Sequence, residues 1–196
     1  MRKSRSHPAR PGREEHRSPS GRSPIGEPAP QTPVGWREWL ALPALRIPAI
    51  KAKMDTGART SALHTFRLER CDEDGRTQVR FWIHPLQGRG DIVLPCVAEV
   101  IDLRTVSDSG GHRERRYVIR TALAYRGREW PIELTLTNRE DMLFRLLVGR
   151  SAMMQGGLIV DPARSYLGGR SMGHAYRKRF PPTHGGPEHE DRHPVP

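Results

Sequence analysis

The 196-residue chain has only two cysteines, Cys71 and Cys96, and no apolar run long enough to cross a membrane. Two cysteines exclude a disulfide framework and favour a reducing compartment. The N-terminus is basic, but the apolar run of a secretory signal does not follow it. We therefore expect a cytoplasmic protein with no membrane association.

The sequence also lacks the short motifs that mark common binding sites. It has no His-Glu-x-x-His segment and no Cys-x-x-Cys pair, which present zinc ligands at close spacing. It has no Gly-x-x-x-x-Gly-Lys-Ser/Thr loop for nucleotide phosphates, and no zinc-finger or RRM-type motif. We expect no metal, no other cofactor and no specific nucleic-acid partner.

Charge is unevenly distributed along the chain. Basic residues number 33 against 22 acidic ones, a net charge of +11. About half of this excess lies in the two ends, which are rich in Pro, Gly and charged residues and poor in large apolar ones. This composition predicts a disordered basic arm at 1–34, one packed domain at 35–169 and a disordered His/Pro-rich tail at 170–196.

The packed region is a series of short strand-like runs separated by turns. Residues 79–83 and 130–137 have β-type composition, and the second run alternates between apolar and polar side chains. Helical periodicity is almost absent, which predicts an all-β barrel or sandwich. One short helix is expected at 151–155, with Ser151 as its N-cap and a glycine pair after it.

One stretch ends on a carboxylate. Residues 50–54 alternate between apolar side chains and lysines, the pattern of a half-buried strand, and Asp55 follows directly. Thr56 and Gly57 then break the strand, so the turn can re-aim the carboxylate. An Asp-Thr-Gly triplet alone is weak evidence for a site, because these residues are common in turns.

A carboxylate that hydrolyses a bond needs a second acid–base group beside it. Asp108 begins another Asp-hydroxyl-Gly triplet, but no apolar strand leads directly into it, and only about fifty residues separate it from Asp55. We interpret that triplet as a flexible hairpin tip. The favoured partner is Asp55 of a second copy, brought in by a twofold axis, so the sequence predicts a homodimer.

Two motifs in this order resemble the signature of retropepsins. They are the turn at 55–58 and the stretch at 146–153, in which an apolar run ends in Gly-Arg and a helix follows. Three longer strings, at 51–64, 108–113 and 160–166, resemble a bacterial branch of the group often labelled ATP-dependent zinc proteases. The resemblance covers about residues 35–169 and implies a closed barrel that forms one lobe of an aspartic protease.

The resemblance also implies roles for individual residues. Asp55 would be the catalytic carboxylate, Thr56 would lock the two turns across the dimer axis, and Gly57 would admit substrate backbone. Ala58 would line the floor of the site, and Gly149 and Arg150 form the structural part of the signature. Two further glycines would form the flexible tip of a flap that contacts substrate: Gly110 and Gly111.

One position departs from the viral pattern. Viral retropepsins usually carry an acidic residue directly after the Ala, and this acid pairs with the Arg of Gly-Arg. Here that position is Arg59, which would repel Arg150. Either the dimer is assembled differently, or an acid elsewhere compensates. The candidate acids are Asp72, Glu140 and Asp161.

The function predicted from the sequence is peptide-bond hydrolysis by an aspartic endopeptidase that acts on a peptide or protein substrate. Two alternatives stay open: a peptide-binding module on the same fold without catalysis, and a zinc-dependent peptidase. Relatives are often found near ATP-grasp ligases that add glutamates to ribosomal proteins. A glutamate-rich tail is therefore a candidate substrate, and basic residues would suit it.

Overall fold

The computed structural model describes residues 31–73, 75–107, 111, 113–138, 143–169 and 173–176. This part of the chain contains eleven β-strands and one α-helix. The strands are β1 Thr32–Gly35, β2 Arg37–Leu42, β3 Ile47–Asp55, β4 Ser61–His64, β5 Arg67–Glu73, β6 Arg76–Ile83, β7 Leu94–Ser107, β8 Arg113–Tyr125, β9 Arg128–Thr137, β10 Leu146–Gly149 and β11 Leu158–Asp161, and the helix is α1 Arg150–Gly156. The all-β prediction is confirmed.

Nine of the strands form one sheet, in the order β2-β3-β10-β4-β9-β8-β7-β6-β5. β2 also pairs with β8, through Ala41 and Ala124, so the six strands from β2 to β8 in this order follow one another around a common core. Leu40, Leu63 and Leu134 are almost fully buried inside it. Burial of such side chains is the main contribution that holds the strands around the core.

The centre of the sheet joins segments that are far apart in sequence. β10 lies between β3 and β4, parallel to β3 and antiparallel to β4. The turn that connects β3 to β4 therefore passes over the end of β10 instead of joining two adjacent strands. This arrangement brings the two parts of the retropepsin-like signature together.

α1 begins directly after β10. Its N-cap is Gly149, whose extended backbone gives no side-chain cap, so the prediction of Ser151 as the cap is wrong. Arg150 is already helical, because the strand runs into the helix with no intervening turn. The predicted stop is confirmed, since Gly157 adopts a left-handed conformation and its N–H bonds the carbonyls of Met153 and Met154.

Both predicted boundaries of the packed domain lie further out in the structure. β1 starts at Thr32, within the predicted arm, and pairs in parallel with β11 in a separate two-stranded sheet. Tyr176, within the predicted tail, is 2% exposed and donates a hydrogen bond to the carbonyl of Ala49. Composition missed these segments because each contributes only one large buried side chain, Val34 and Tyr176.

A buried carboxylate ties the start of the domain to its end. Glu38 on β2 is fully buried and accepts hydrogen bonds from the backbone N–H groups of Gly35 and Leu167, both at 2.7 Å, and of Gly168 at 3.1 Å. These donors satisfy a group that would otherwise be costly to bury. Glu38 therefore fixes the chain that follows β11 against the corner between β1 and β2.

Residues 67–107, which hold β5, β6 and β7, form a region that we name the outer ribbon. β5 pairs only with β6, as the edge of the sheet, and none of its residues is buried. The other side of the ribbon is anchored to the body by Phe81 and Ile83, which are fully buried, and by the Cys96 thiol, which lies 3.6 Å from the carbonyl of Leu45. The ribbon is thus packed near β7 and open to solvent near β5.

Candidate active site

Asp55 is the last residue of β3. The apolar side chains of residues 50–54 are buried, Lys53 is exposed and Asp55 is partly exposed, which confirms the predicted half-buried strand. In the parallel ladder between β3 and β10, Asp55 is paired with Gly149. The two halves of the sequence signature therefore meet at one point in the fold.

The turn after β3 holds one oxygen of the Asp55 carboxylate. Oδ1 accepts hydrogen bonds from the backbone N–H groups of Gly57 at 3.1 Å and Ala58 at 3.2 Å. The Ala58 N–H also contacts the Asp55 carbonyl at 3.3 Å. Within the described residues no hydrogen bond engages Oδ2, so this oxygen is available to a water molecule or a second copy of the chain.

The residues that follow Asp55 lie at the surface of this single chain. Thr56 and Gly57 are exposed, and Ala58 is partly exposed. A Cβ added at Gly57 would meet only the Asp55 Oδ1, at 3.4 Å, which is an ordinary contact distance. The fold of one chain therefore does not require glycine at 57.

Arg150 holds the turn at 55–58 in place through hydrogen bonds. Its Nη1 donates hydrogen bonds to the carbonyls of Thr56 and Gly57, both at 2.8 Å. Its backbone N–H bonds the Ala58 carbonyl at 2.9 Å, and the next N–H, of Ser151, bonds the Arg59 carbonyl at 3.1 Å. The start of α1 thus holds three consecutive residues of the turn and the one after them.

Arg150 has hydrogen-bond partners that the sequence analysis did not consider. They are the backbone carbonyls of Thr56 and Gly57, and within the described residues no acidic side chain pairs with Arg150. Of the candidate acids, Asp72 pairs with Arg70 on β5 at 3.2 Å and Asp161 caps its own turn. Glu140 lies outside the described residues.

Two further residues complete the support and were missed by the sequence analysis. The Ser61 hydroxyl accepts a hydrogen bond from the Gly149 N–H at 3.1 Å, and the Ser61 carbonyl accepts one from the Thr135 hydroxyl at 3.0 Å. A Cβ on Gly149 would lie 2.6 Å from the backbone of Thr60. Gly149 is therefore packed directly under the turn, where only glycine fits.

The description "Retropepsin-like aspartic endopeptidase RimB" belongs to a family model that matches residues 33–171. The chain belongs to this RimB-like family. The match begins within β1, extends past β11 and includes every described residue of the site. The resemblance inferred from the two motifs is confirmed.

Proteins similar to this member of the family carry a different name. A "Probable alpha-L-glutamate ligase" from Shewanella pealeana is 44% identical over 133 residues, which is 68% of this chain and 29% of that protein. One from Desulfotalea psychrophila is 45% identical over 149 residues, 74% of this chain and 32% of that protein. The chain thus spans about a third of the length of these relatives, and most of each relative lies outside the match.

A solved structure has the same fold. It is the crystal structure of the Legionella pneumophila protein Lpg0085, described as having unknown function, with a TM-score of 0.60 and 25% identity. The match covers 70% of this chain and 98% of that one. Nearly the whole of that crystallised chain therefore has the same fold as the matched part of this one.

The hairpin expected to act as a flap is formed by β7 and β8. The last pair in its ladder is Ser107 with Arg113. Gly111 is exposed and has a φ of 80°, a conformation that favours glycine. Gly110 and Asp108, which the sequence analysis assigned to this tip, lie outside the described residues.

A metal site, a membrane span and a disulfide each require particular features of the described residues. Among the residues described, no group of three or more His, Cys, Asp and Glu side chains is placed to hold a metal ion. Nor does any described helix have the length and apolar character to span a membrane. Cys71 and Cys96 are both free thiols.

Proposed function

We propose that the chain is an aspartic endopeptidase that hydrolyses peptide bonds. The observation that carries this proposal is the setting of Asp55, whose Oδ1 is fixed by two backbone N–H groups while Oδ2 is open within the described residues. A carboxylate held in this way keeps its orientation and still offers one oxygen to a water molecule. Membership of the family supports the same assignment.

The second carboxylate would come from another copy of the chain. Hydrolysis of this type needs two carboxyl groups that share one proton, since two adjacent carboxylates do not both ionise. Exposed Thr56 and Gly57 beside Asp55 leave this face of the turn open to an identical face. We therefore propose a homodimer in which the two turns meet on a twofold axis, with Thr56 in the role that the resemblance implies.

In this dimer a water molecule lies between the two Asp55 side chains. The ionised carboxylate accepts a proton from the water as the water oxygen attacks the carbonyl carbon of the peptide. The protonated Asp55 of the other subunit donates a hydrogen bond to the carbonyl oxygen of the peptide. As the C–N bond of the tetrahedral intermediate breaks, the nitrogen receives the proton that the first carboxylate took from the water.

The peptide would lie extended between the turns and the flap, with Ala58 at the floor and Gly110 and Gly111 at the tip. Main-chain hydrogen bonds would supply affinity that is independent of sequence. The relatives named as alpha-L-glutamate ligases support an acidic peptide as substrate, because a peptidase joined to such a ligase would meet glutamate-containing chains. Two free thiols support a cytoplasmic location.

The direct test is Asp55→Asn, assayed on a peptide library beside the wild type. Asparagine keeps the size of the side chain and cannot act as the base, so cleavage should fall by at least roughly a thousandfold. Asp72→Asn on β5, an exposed carboxylate of the outer ribbon, is the matched control and should cleave normally. Cleavage that survives Asp55→Asn would refute the assignment.

Mixed dimers test the shared site. If both carboxylates are needed and the subunits exchange freely, an equal mixture of wild type and Asp55→Asn should keep about a quarter of the activity of the same total amount of wild type. Chains that act singly would keep about half. Sedimentation that shows a monomer at every assay concentration would exclude the dimer.

A second candidate function is favoured by the relatives, in which the matched segment is less than a third of a protein named as a ligase. In this second function the domain binds a peptide without cleaving it. Saturable binding of an acidic peptide by a monomer, with no cleavage by wild type, would support this function. Release of zinc together with loss of cleavage on chelation would instead support a zinc-dependent peptidase.

A further inference from the structure

A cavity of about 750 Å³ opens beside the catalytic turn. Arg59 and Thr60, the residues directly after the turn, form one side of it. Arg104 of the outer ribbon, Arg120 of β8 and Glu133 of β9 contribute the other charged groups, and one face of α1 completes the wall. The cavity therefore lies where the turn, the base of the flap and the helix meet.

The charges around the cavity do not balance. Arg104 donates to Glu133 at 2.5 Å and also pairs with Asp102, and its hydrogen bond holds the pKa of the Glu133 carboxyl below the usual range. Arg120 lies opposite Glu133 in the β8–β9 ladder. Glu133 is thus already engaged, and the described residues offer no ion pair or side-chain hydrogen bond to Arg59, which is exposed.

The backbone of Arg59 is fixed relative to Asp55. Its carbonyl accepts the Ser151 N–H at 3.1 Å, and Gly149 packs against the backbone of Arg59 and Thr60. Arg59 lies four positions after Asp55 in the sequence, so their Cα atoms are at most about 14 Å apart. A peptide positioned for cleavage at Asp55 therefore reaches the cavity within about four extended residues.

We propose that this cavity is a subsite for a carboxylate group of the peptide, and that Arg59 is the residue that determines this specificity. The proposal rests on the proposed peptidase function. A guanidinium pairs with a carboxylate through two parallel hydrogen bonds, which a lysine or a neutral amide does not reproduce. The hydroxyls of Thr60 and Ser151 and the amide of Gln155 line the same cavity and supply further donors.

The test uses two fluorogenic peptides that differ only in having glutamates or glutamines on both sides of the scissile bond. Wild type should cleave the glutamate peptide with a kcat/KM about tenfold higher, and the difference should lie mainly in KM. Arg59→Gln should remove this preference. Arg59→Glu should reverse it towards a peptide that carries lysines at the same positions, and Arg59→Lys should keep part of it.

Arg80→Gln is the matched control, because Arg80 is an exposed arginine on β6 that does not line the cavity. It should leave the preference unchanged. Arg120→Gln should lower the preference less than Arg59→Gln, because Arg120 already faces Glu133. Raised salt should weaken the preference in wild type and have little effect in Arg59→Gln, since the cavity is open to solvent.

Binding of the same peptides to Asp55→Asn separates this proposal from the peptidase function. If wild type cleaves neither peptide, tighter binding of the glutamate peptide that is lost in Arg59→Glu would keep the subsite and reject the enzyme. If wild type cleaves both peptides equally well, or Arg59→Gln keeps the preference while sedimentation and thermal melting match wild type, the subsite is rejected and the enzyme stands.

The carboxylate can belong to a side chain or to the end of the peptide. A glutamine peptide with a free C-terminus and the same peptide amidated distinguish these sources. Arg59-dependent preference for the free acid would assign the cavity to a terminal carboxylate. Equal rates for these two, with preference for the glutamate peptide, would assign it to side chains.

Discussion

The centre of the sheet and the outer ribbon are both made of β-strands, but different interactions stabilise them. In the centre, β3 and β10 each have a neighbour on both sides, and all four residues of β4 are buried. In the ribbon, β5 has one neighbour and no buried residue. The turn at 55–58 is therefore attached to strands that have a neighbour on both sides.

The charged residues differ in the same way. In the ribbon they form exposed pairs between side chains, such as Arg67 with Glu69 and Arg76 with Glu99. Such pairs contribute little to stability, and the charges discourage the edge strand from pairing with other chains. Arg150, directly after β10, and Glu38, on β2 beside β3, bond backbone groups instead. Backbone contacts therefore hold the candidate site, whereas the charged side chains of the ribbon pair with one another at its surface.

The largest difference between the two regions should appear at Gly149. Gly149→Ala adds a Cβ 2.6 Å from the Thr60 carbon and 2.7 Å from the Arg59 oxygen, both backbone atoms of the held turn. We expect the free energy of unfolding to fall by about 3 kcal/mol or more. Urea denaturation measures this change, and cleavage should be lost with it.

Gly90→Ala in the ribbon is the control for that substitution. No atom lies within 4 Å of a Cβ built at Gly90. The free energy of unfolding should therefore stay within about 0.5 kcal/mol of wild type. Equal losses for the two variants would contradict the contrast between the centre and the ribbon.

A smaller effect is expected from a buried carboxylate. Glu38→Gln keeps the shape but places an amide N–H₂ against backbone N–H donors, so at least one buried donor loses its acceptor. The free energy of unfolding should fall by about 2 kcal/mol in urea denaturation. Glu99→Gln, at an exposed pair in the ribbon with N···O 3.6 Å, should change it by less than about 0.5 kcal/mol.

The smallest effect should be visible only in alkali. Burial and the nearby Glu38 raise the pKa of Tyr125 from 10.0 to about 12. The unfolded chain then loses this proton first, so the folded state loses stability as the pH rises from about 10 towards 12. Tyr125→Phe should unfold with a shallower dependence on pH in this window and stay within about 1 kcal/mol of wild type at neutral pH.

Burial also raises the pKa of the Cys96 thiol, to about 11, which adds a similar alkaline loss of stability. Cys96→Ala therefore serves as the second variant in this experiment. The slopes removed by the two substitutions should add, since each group titrates separately. An unchanged slope in Tyr125→Phe would show that Glu38 and burial do not hold this phenol neutral.

Two local features of the fold could be predicted from the sequence. The alternating side chains of residues 50–54 predict the strand before Asp55, and the glycine pair at 156–157 predicts the end of the helix, because both depend on local geometry. The burial of Glu38 could also have been predicted from the sequence. It lies in phase with Leu40 and Leu42, which places it on the buried face of β2.

The sequence by itself determined that the chain is all-β, that a carboxylate ends a half-buried strand at Asp55, and that the chain shares the two-part signature of its family. Only the tertiary structure decided that β10 lies between β3 and β4, that Arg150 bonds carbonyls of the turn, and that Arg59 faces a cavity. The physical reason is that strand period is local, whereas pairing depends on burial along the whole chain. A backbone carbonyl, moreover, can accept from any arginine without leaving a mark in the sequence.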